Sequence, residues 1–214
     1  MFPYSYICVE GNIGSGKTSL CHKLSGDFNC RLILEQFADN PFLPFFYKDA
    51  ERYAFPVELF FMTERHKQLQ ETLLNRDLFI DLSISDYFFP KTLLFARKTL
   101  GDEEYRLFLK LYHILEASFP KPDIVVYLHR PIEVLLKQIK IRGRSYENGI
   151  SAKYLQDIQD SYFEFFMGYT AYPILIIDIG ERDFIKDDNT YQSITQLMKS
   201  EFLPGVHRVS LISA

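Results

Sequence analysis

The chain has 214 residues, 47% of them hydrophobic and 24% charged, with a formal net charge of −4; that balance suits one domain over 1–214 with a sizeable core. Mild acidity without a Lys/Arg-rich stripe argues against a nucleic-acid partner, and no window nears the about 18 apolar residues that a membrane span needs. Cys8, Cys21 and Cys30 are an odd set without metal-ligand spacing, so reduced thiols, the first two buried, and a soluble, cytoplasmic protein are expected.

Short apolar runs alternate with longer helical patterns. Strands are predicted at 4–10, 31–34, 78–85, 124–128 and 174–178, and helices at 18–25, 55–74, 92–100, 103–118, 132–141, 152–166 and 190–202. Runs such as Ile124-Val125-Val126-Tyr127-Leu128 are apolar on both faces, as strands buried on both faces are. The expected fold is a doubly wound α/β sandwich: a parallel five-stranded sheet with helices on both faces and ligands at the carboxyl ends of the strands. The tail 203–214 has no clear pattern and stays unassigned.

The first strand runs into Gly11-Asn12-Ile13-Gly14-Ser15-Gly16-Lys17-Thr18, and then into a segment with Leu20, Cys21 and Leu24 at helical spacing. This is the pattern G-x-x-x-x-G-K-[ST] at a strand-to-helix joint. Glycines let backbone N–H groups close around an anion, and the helix N-terminus adds partial positive charge. Lys17 can reach the β- and γ-phosphates, and the Thr18 hydroxyl suits Mg²⁺. A nucleoside triphosphate site is the reading; the alternative is a Gly-rich turn with a solvated lysine.

Two acids leave apolar strands at the same end, Glu35 after the second and Asp86 after the third. Beside a triphosphate, such a carboxylate can take a proton from an attacking hydroxyl or hold Mg²⁺; otherwise it caps a helix or faces solvent. Asp81, mid-strand, competes with Asp86. On helix 55–74, Phe55, Leu59, Met62, Leu69 and Leu73 form the core stripe, and Glu58, Phe61 and Arg65 share a neighbouring face. That face either lines a base pocket or is solvated beside a packed ring. Arg142-Gly143-Arg144 closes a later amphipathic helix and opens a lid over about 142–150. Two guanidiniums on a hinge can fold over transferring phosphates or simply face a helix C-terminus.

Taken together, these pieces resemble the deoxynucleoside kinase family, in particular its short bacterial deoxyadenosine/deoxyguanosine kinase-like members. The resemblance covers about 7–184 and rests on Glu10 through Thr18, Glu35 with Asn40-Pro41-Phe42-Leu43, Phe46-Tyr47, and Arg142-Gly143-Arg144 with Glu147-Asn148-Gly149-Ile150. It implies a P-loop NTPase-type fold, ATP with Mg²⁺, phosphorylation of a deoxynucleoside 5′-hydroxyl, and a homodimer. It also implies that Glu35 activates that hydroxyl, that Tyr47 and Glu147 hold the sugar 3′-hydroxyl, and that Arg142 and Arg144 are the lid arginines. Phe95 is implied in the base pocket, and Asp183-Phe184 beside the ATP adenine.

There are two departures from the family pattern. Where the family carries acid-Arg-Ser, this chain reads Ser85-Asp86-Tyr87-Phe88, without the arginine; Asp86 keeps the acidic role and Lys91 is a substitute cation about a turn further on. Glu58 stands in place of a base-reading glutamine. An ionised glutamate only accepts hydrogen bonds, which suits guanine's adjacent donors, with Arg65 near the guanine oxygen. The expected acceptor is therefore a purine deoxynucleoside, deoxyguanosine or deoxyadenosine. A nucleoside monophosphate kinase is the nearest rival, but Glu35, Asp39, Asp49, Glu51 and Glu58 against Lys48, Arg52 and Arg65 favour an uncharged acceptor. A nucleotide-dependent switch would leave Glu35 and Glu147 without work.

Overall fold

The structure, a computed structural model, describes residues 2–35, 40–73, 79–117, 121–144, 147, 149–168 and 171–211. Asp39, the residues Ser145, Tyr146 and Asn148 of the expected lid, and one end each of the predicted segments 55–74, 78–85 and 103–118 lie outside the described residues. Strands β1 (Tyr6–Gly11), β2 (Cys30–Ile33), β3 (Leu82–Ser85), β4 (Ile124–His129), β5 (Pro173–Asp178) and β6 (Gly205–Ser210) form one sheet in the order β2-β3-β1-β4-β5-β6. Every neighbouring pair is parallel. The helices are α1 (Lys17–Asp27), α2 (Leu43–Phe46), α3 (Ala50–Leu73), α4 (Lys91–Thr99), α5 (Asp102–Glu116), α6 (Ile132–Arg142), α7 (Ala152–Met167) and α8 (Asp188–Met198).

Side chains alternate across the sheet, so each strand supplies two cores. On one face, Ile7, Val9, Val126, Leu128, Leu175 and Ile177 pack against α1 and α8 through Leu20, Leu24, Ile194 and Met198. On the other, Cys8, Val125, Tyr127 and Ile176 pack against α7 through Ile158, Tyr162 and Phe166. Each of these buried aliphatic or aromatic side chains contributes roughly 1.5–3 kcal/mol. Cys8, Cys21 and Cys30 are all unpaired, the first two fully buried. Among the described residues no helix is long and apolar enough to cross a membrane.

The sheet has six strands, where the sequence pattern predicts five. The additional strand, β6, is built from the unassigned tail and pairs with β5 from Pro173 opposite Gly205 to Asp178 opposite Ser210. As an edge strand it is covered incompletely: Gly205, His207 and Val209 are half-buried, whereas Val206, Arg208 and Ser210 are exposed. A strand of this kind tolerates polar residues and shows no apolar run in the sequence. The third strand is also shorter than predicted, because pairing begins only at Leu82, opposite Cys30. Asp81 consequently precedes the strand, exposed, at the end opposite Asp86.

β1 carries one charged side chain into the core beneath the loop that follows it. Glu10 is fully buried and satisfied by three neutral donors: the Phe88 N–H at 2.8 Å, the Tyr162 hydroxyl at 2.9 Å and the Gly11 N–H at 3.1 Å. Its carboxylate thus ties β1 to α7 and to the segment after β3. Tyr162→Phe removes one of these donors and is expected to cost about 1–3 kcal/mol. That corresponds to a melting point lower by about 2–12 °C; an unchanged melting curve would contradict this role for Glu10.

Candidate active site

The loop between β1 and α1 forms one end of a cleft of about 300 Å³. Gly16, just before α1, has φ 98°, and a Cβ there would lie 3.0 Å from Phe184; no other residue fits this turn without strain. Lys17 donates to the carbonyls of Gly11 at 2.8 Å and Asn12 at 3.0 Å, which aims its ammonium into the cleft. Burial, and then repulsion from Lys91, lower its pKa to about 8.

Asp86, at the carboxyl end of β3, connects this loop to the end of β2. One of its oxygens accepts from the Thr18 hydroxyl, and the other accepts from the Glu35 N–H at 2.7 Å. The Asp86 N–H donates in turn to the Ile33 carbonyl at 3.1 Å. Burial raises the Asp86 pKa. Two hard oxygen donors, Thr18 and Asp86, therefore sit side by side next to Lys17.

Glu35 enters the cleft from that junction and is gripped by two cations. Arg65 bonds one carboxylate oxygen through Nε at 2.7 Å and through Nη2, while Lys91 donates to the other at 3.1 Å. Nη1 of Arg65 donates to Thr92 at 2.7 Å. Burial alone would raise the Glu35 pKa; Arg65 and Lys91 outweigh it and hold the group at about 2. Glu58 has the opposite fate. It is buried, with Thr99 donating to it at 3.1 Å, and burial lifts its pKa to about 7.

Two stripes of α3 are therefore buried, one in the core through Met62 and Leu69 and the other, with Glu58, Phe61 and Arg65, along the cleft. Tyr47 from the end of α2 and Phe95 from α4 complete this apolar-walled end. The segment expected from the sequence to be a lid begins where α6 stops at Gly143, whose φ of 69° lets the chain turn out of the helix. Arg142 holds buried Glu147 through two hydrogen bonds, at 2.6 and 3.1 Å, with Arg144 at 3.6 Å from the same carboxylate.

Gly11, Ile13, Gly14, Gly16, Lys17, Thr18, Glu35, Tyr47, Glu58, Arg65, Phe95, Arg142, Arg144 and Glu147 all line the cleft, as expected residues of the site. Asn12, Ser15, Asp86, Asp183 and Phe184 do not line it; Asp183 is exposed and the other four are buried. Asn12 donates to the Leu155 carbonyl at 2.7 Å, Asp183 caps its own turn through the Ile185 N–H at 3.1 Å, and Phe184 is buried against Gly16. Sequence reasoning missed Arg130, which leaves β4 at the same edge of the sheet. Its guanidinium is buried, 3.1 Å from the Ser15 carbonyl and 2.9 Å from that of Gly180, and so pins the loop from below. A charged residue directly after an apolar strand was the available signal, the same one that marked Glu35 and Asp86.

The family model described as "Deoxynucleoside kinase" matches residues 7–204. Deoxyguanosine kinase of Bacillus subtilis (strain 168) is 32% identical over 201 residues, covering 91% of this chain and 96% of that protein. Deoxyadenosine/deoxycytidine kinase of the same organism is 30% identical over 207 residues, covering 92% of each. A structure of deoxyadenosine kinase from M. mycoides with bound dATP superposes with a TM-score of 0.75 at 24% identity, covering 91% of this chain and 100% of that one.

The two carboxylates at this site give opposite pH dependences. Burial lifts the Glu58 pKa from the ordinary 4.5 to about 7 in the folded chain, so between those values the native chain holds more protons and stability falls as pH rises, by about 3 kcal/mol in total. Glu35, held at about 2, contributes stability that is present above its ordinary 4.5 and lost as pH falls towards 2. Glu58→Gln is expected to flatten the decline between about pH 4.5 and 7 in urea unfolding while leaving the acid-side loss in place. An unchanged slope would contradict a proton-retaining Glu58.

Proposed function

The chain belongs to the deoxynucleoside kinase family, whose members transfer phosphate from ATP to a deoxynucleoside, and on that premise we propose that its acceptor is a purine deoxynucleoside phosphorylated at the 5′-hydroxyl. One observation carries the reading: a single cleft has the phosphate loop with Lys17 at one end and Glu35, Glu58 and Glu147 at the other. The cations at that end are already matched, Arg65 and Lys91 by Glu35 and Arg142 by Glu147, which suits an uncharged nucleoside rather than a monophosphate.

In this reading the γ-phosphoryl group lies over the loop N–H groups and Lys17, with Arg142 and Arg144 closing from the lid. The acceptor hydroxyl meets Glu35. A carboxylate held at about 2 is a weak base, which fits a loose transition state where the hydroxyl keeps its proton until late and positioning supplies most of the catalysis. Thr18 and Asp86 would hold Mg²⁺, whose hard oxygen preference and small demand for protein ligands match them; it would neutralise charge on the phosphates. Tyr47 and Glu147 take the sugar 3′-hydroxyl in this proposal, and Phe95 flanks the base.

Glu58 reads the purine. Ionised, it accepts from the adjacent imino and amino donors of guanine; protonated, it offers adenine one donor and one acceptor. With a pKa near 7, both forms are accessible around neutral pH. Asp183-Phe184 near the adenine of ATP, and a homodimer through the apolar stripe of Leu107, Leu111 and Ile114 on α5, complete the proposal. Formation of ADP is expected with deoxyguanosine and deoxyadenosine, at least about tenfold faster per unit concentration than with deoxycytidine or thymidine. A pyrimidine preference would overturn the purine assignment.

A further inference from the structure

Two polar rungs join α3 to α4 along the cleft. Nη1 of Arg65 donates to the Thr92 hydroxyl at 2.7 Å, and the Thr99 hydroxyl donates to Oε1 of Glu58 at 3.1 Å. Seven residues separate the rungs on each helix, Glu58 from Arg65 and Thr92 from Thr99, so the helices run in opposite directions and the rungs lie about 10 Å apart. Phe95, three residues after Thr92 and four before Thr99, lines the cleft on the same side of α4.

The second rung is the one that can change. Within a helix a threonine hydroxyl can bond back to the carbonyl four residues earlier. That of Thr99 has this partner, the Phe95 carbonyl at 3.0 Å, and Glu58 besides. It carries one proton and serves one acceptor fully at a time. Glu58 is buried and lines the cleft, and among the described residues Thr99 is its only hydrogen-bond donor. The charged and titratable groups around it come from four elements. Arg65 on α3 and Lys91 on α4 favour its ionised form, Glu35 after β2 opposes it, and Tyr154 on α7 is kept neutral by burial. Arg65 and Lys91 both bond Glu35, so the hydrogen bond that tells ionised from protonated Glu58 comes from Thr99.

We propose that Thr99 is a positioning residue for base choice: its hydroxyl bonds the ionised Glu58 carboxylate and holds it as the acceptor that guanine requires, and it turns back to the Phe95 carbonyl when Glu58 is protonated for adenine. This deepens the reading of Glu58 above and rests on it. A hydrogen bond to a charged oxygen is roughly twice as strong as one between neutral groups, so the Thr99 proton favours Glu58 only while Glu58 is ionised. The Phe95 carbonyl, a neutral acceptor at much the same distance, takes it otherwise. Thr99 thereby tilts the site towards guanine without touching the base.

The test compares kcat/KM for deoxyguanosine and deoxyadenosine, with ATP and the full chain, between about pH 6 and 8. Groups that affect both substrates alike cancel in the ratio of the two. In the parent that ratio is expected to rise with pH, since ionised Glu58 serves guanine and protonated Glu58 adenine. Thr99→Val keeps the shape and removes the hydroxyl. It is expected to lower the ratio about tenfold at each pH, as loss of a hydrogen bond to a charged group does, with KM for ATP within about twofold of the parent. Thr99→Ser retains the hydroxyl and is expected to hold the ratio within about threefold of the parent, a rescue that a packing role would not produce. If Thr99→Val is unfolded at the assay temperature, Thr99→Ala replaces it in the same comparison. A ratio in Thr99→Val within about twofold of the parent, or a loss that Ser does not rescue, overturns the proposal. Glu58→Gln separates the two readings: a pH-dependent ratio that survives there overturns the reading of Glu58, whereas a ratio that turns flat with pH there but is unmoved by Thr99→Val overturns only the role of Thr99.

Discussion

The carboxylate of Glu35, with Arg65 on one oxygen and Lys91 on the other, is the interaction on which the rest of the cleft depends. Three charges removed from water are expensive, and they persist only because they compensate one another; deleting one member of such a set costs about 3–5 kcal/mol. The grip fixes where α3 and α4 can sit relative to the end of β2. It thereby sets the distance between the Glu35 end of the cleft and the phosphate loop. A buried carboxylate thus serves as the structural tie between three elements.

Asp86 extends this tie to the phosphate side. By accepting from both Thr18 and the Glu35 N–H, it makes the first turn of α1 and the end of β2 parts of one hydrogen-bonded unit. Arg130 supports the loop from the β4 side, and Glu10 anchors β1 to α7 below it. Three neighbouring strands, β3, β1 and β4, therefore each give a charged side chain at or near the carboxyl edge to hold the loop. The segment after α6 is held differently. Arg142 and Glu147 pair at the rim, where Arg142 keeps some solvent access and the pairing is more exposed to screening.

Much of this architecture was legible in the residues. The loop was readable because its chemistry demands fixed residue types at fixed spacing, and Glu35 and Asp86 because an acid after a buried strand is anomalous in a known direction. The buried strands showed themselves as apolar runs. β6 did not, because an edge strand lets Arg208 and Ser210 face outward. The partnership of Arg65 with Glu35 and Thr92 was invisible, since its members are brought together from β2, α3 and α4 only by packing. The face carrying Glu58 and Arg65 could equally have been solvated; burial decides it, and no periodicity encodes burial of a polar face.

The central claim is that the Glu35 carboxylate receives an uncharged sugar hydroxyl directly opposite the triphosphate loop. A crystal structure with a purine deoxynucleoside and a non-hydrolysable ATP analogue measures this. The account predicts the 5′-oxygen within about 3 Å of a Glu35 oxygen, with the terminal phosphate beside Lys17 and between the two. A complex in which Glu35 remains sealed by Arg65 and Lys91, and the sugar hydroxyl lies elsewhere, would contradict it.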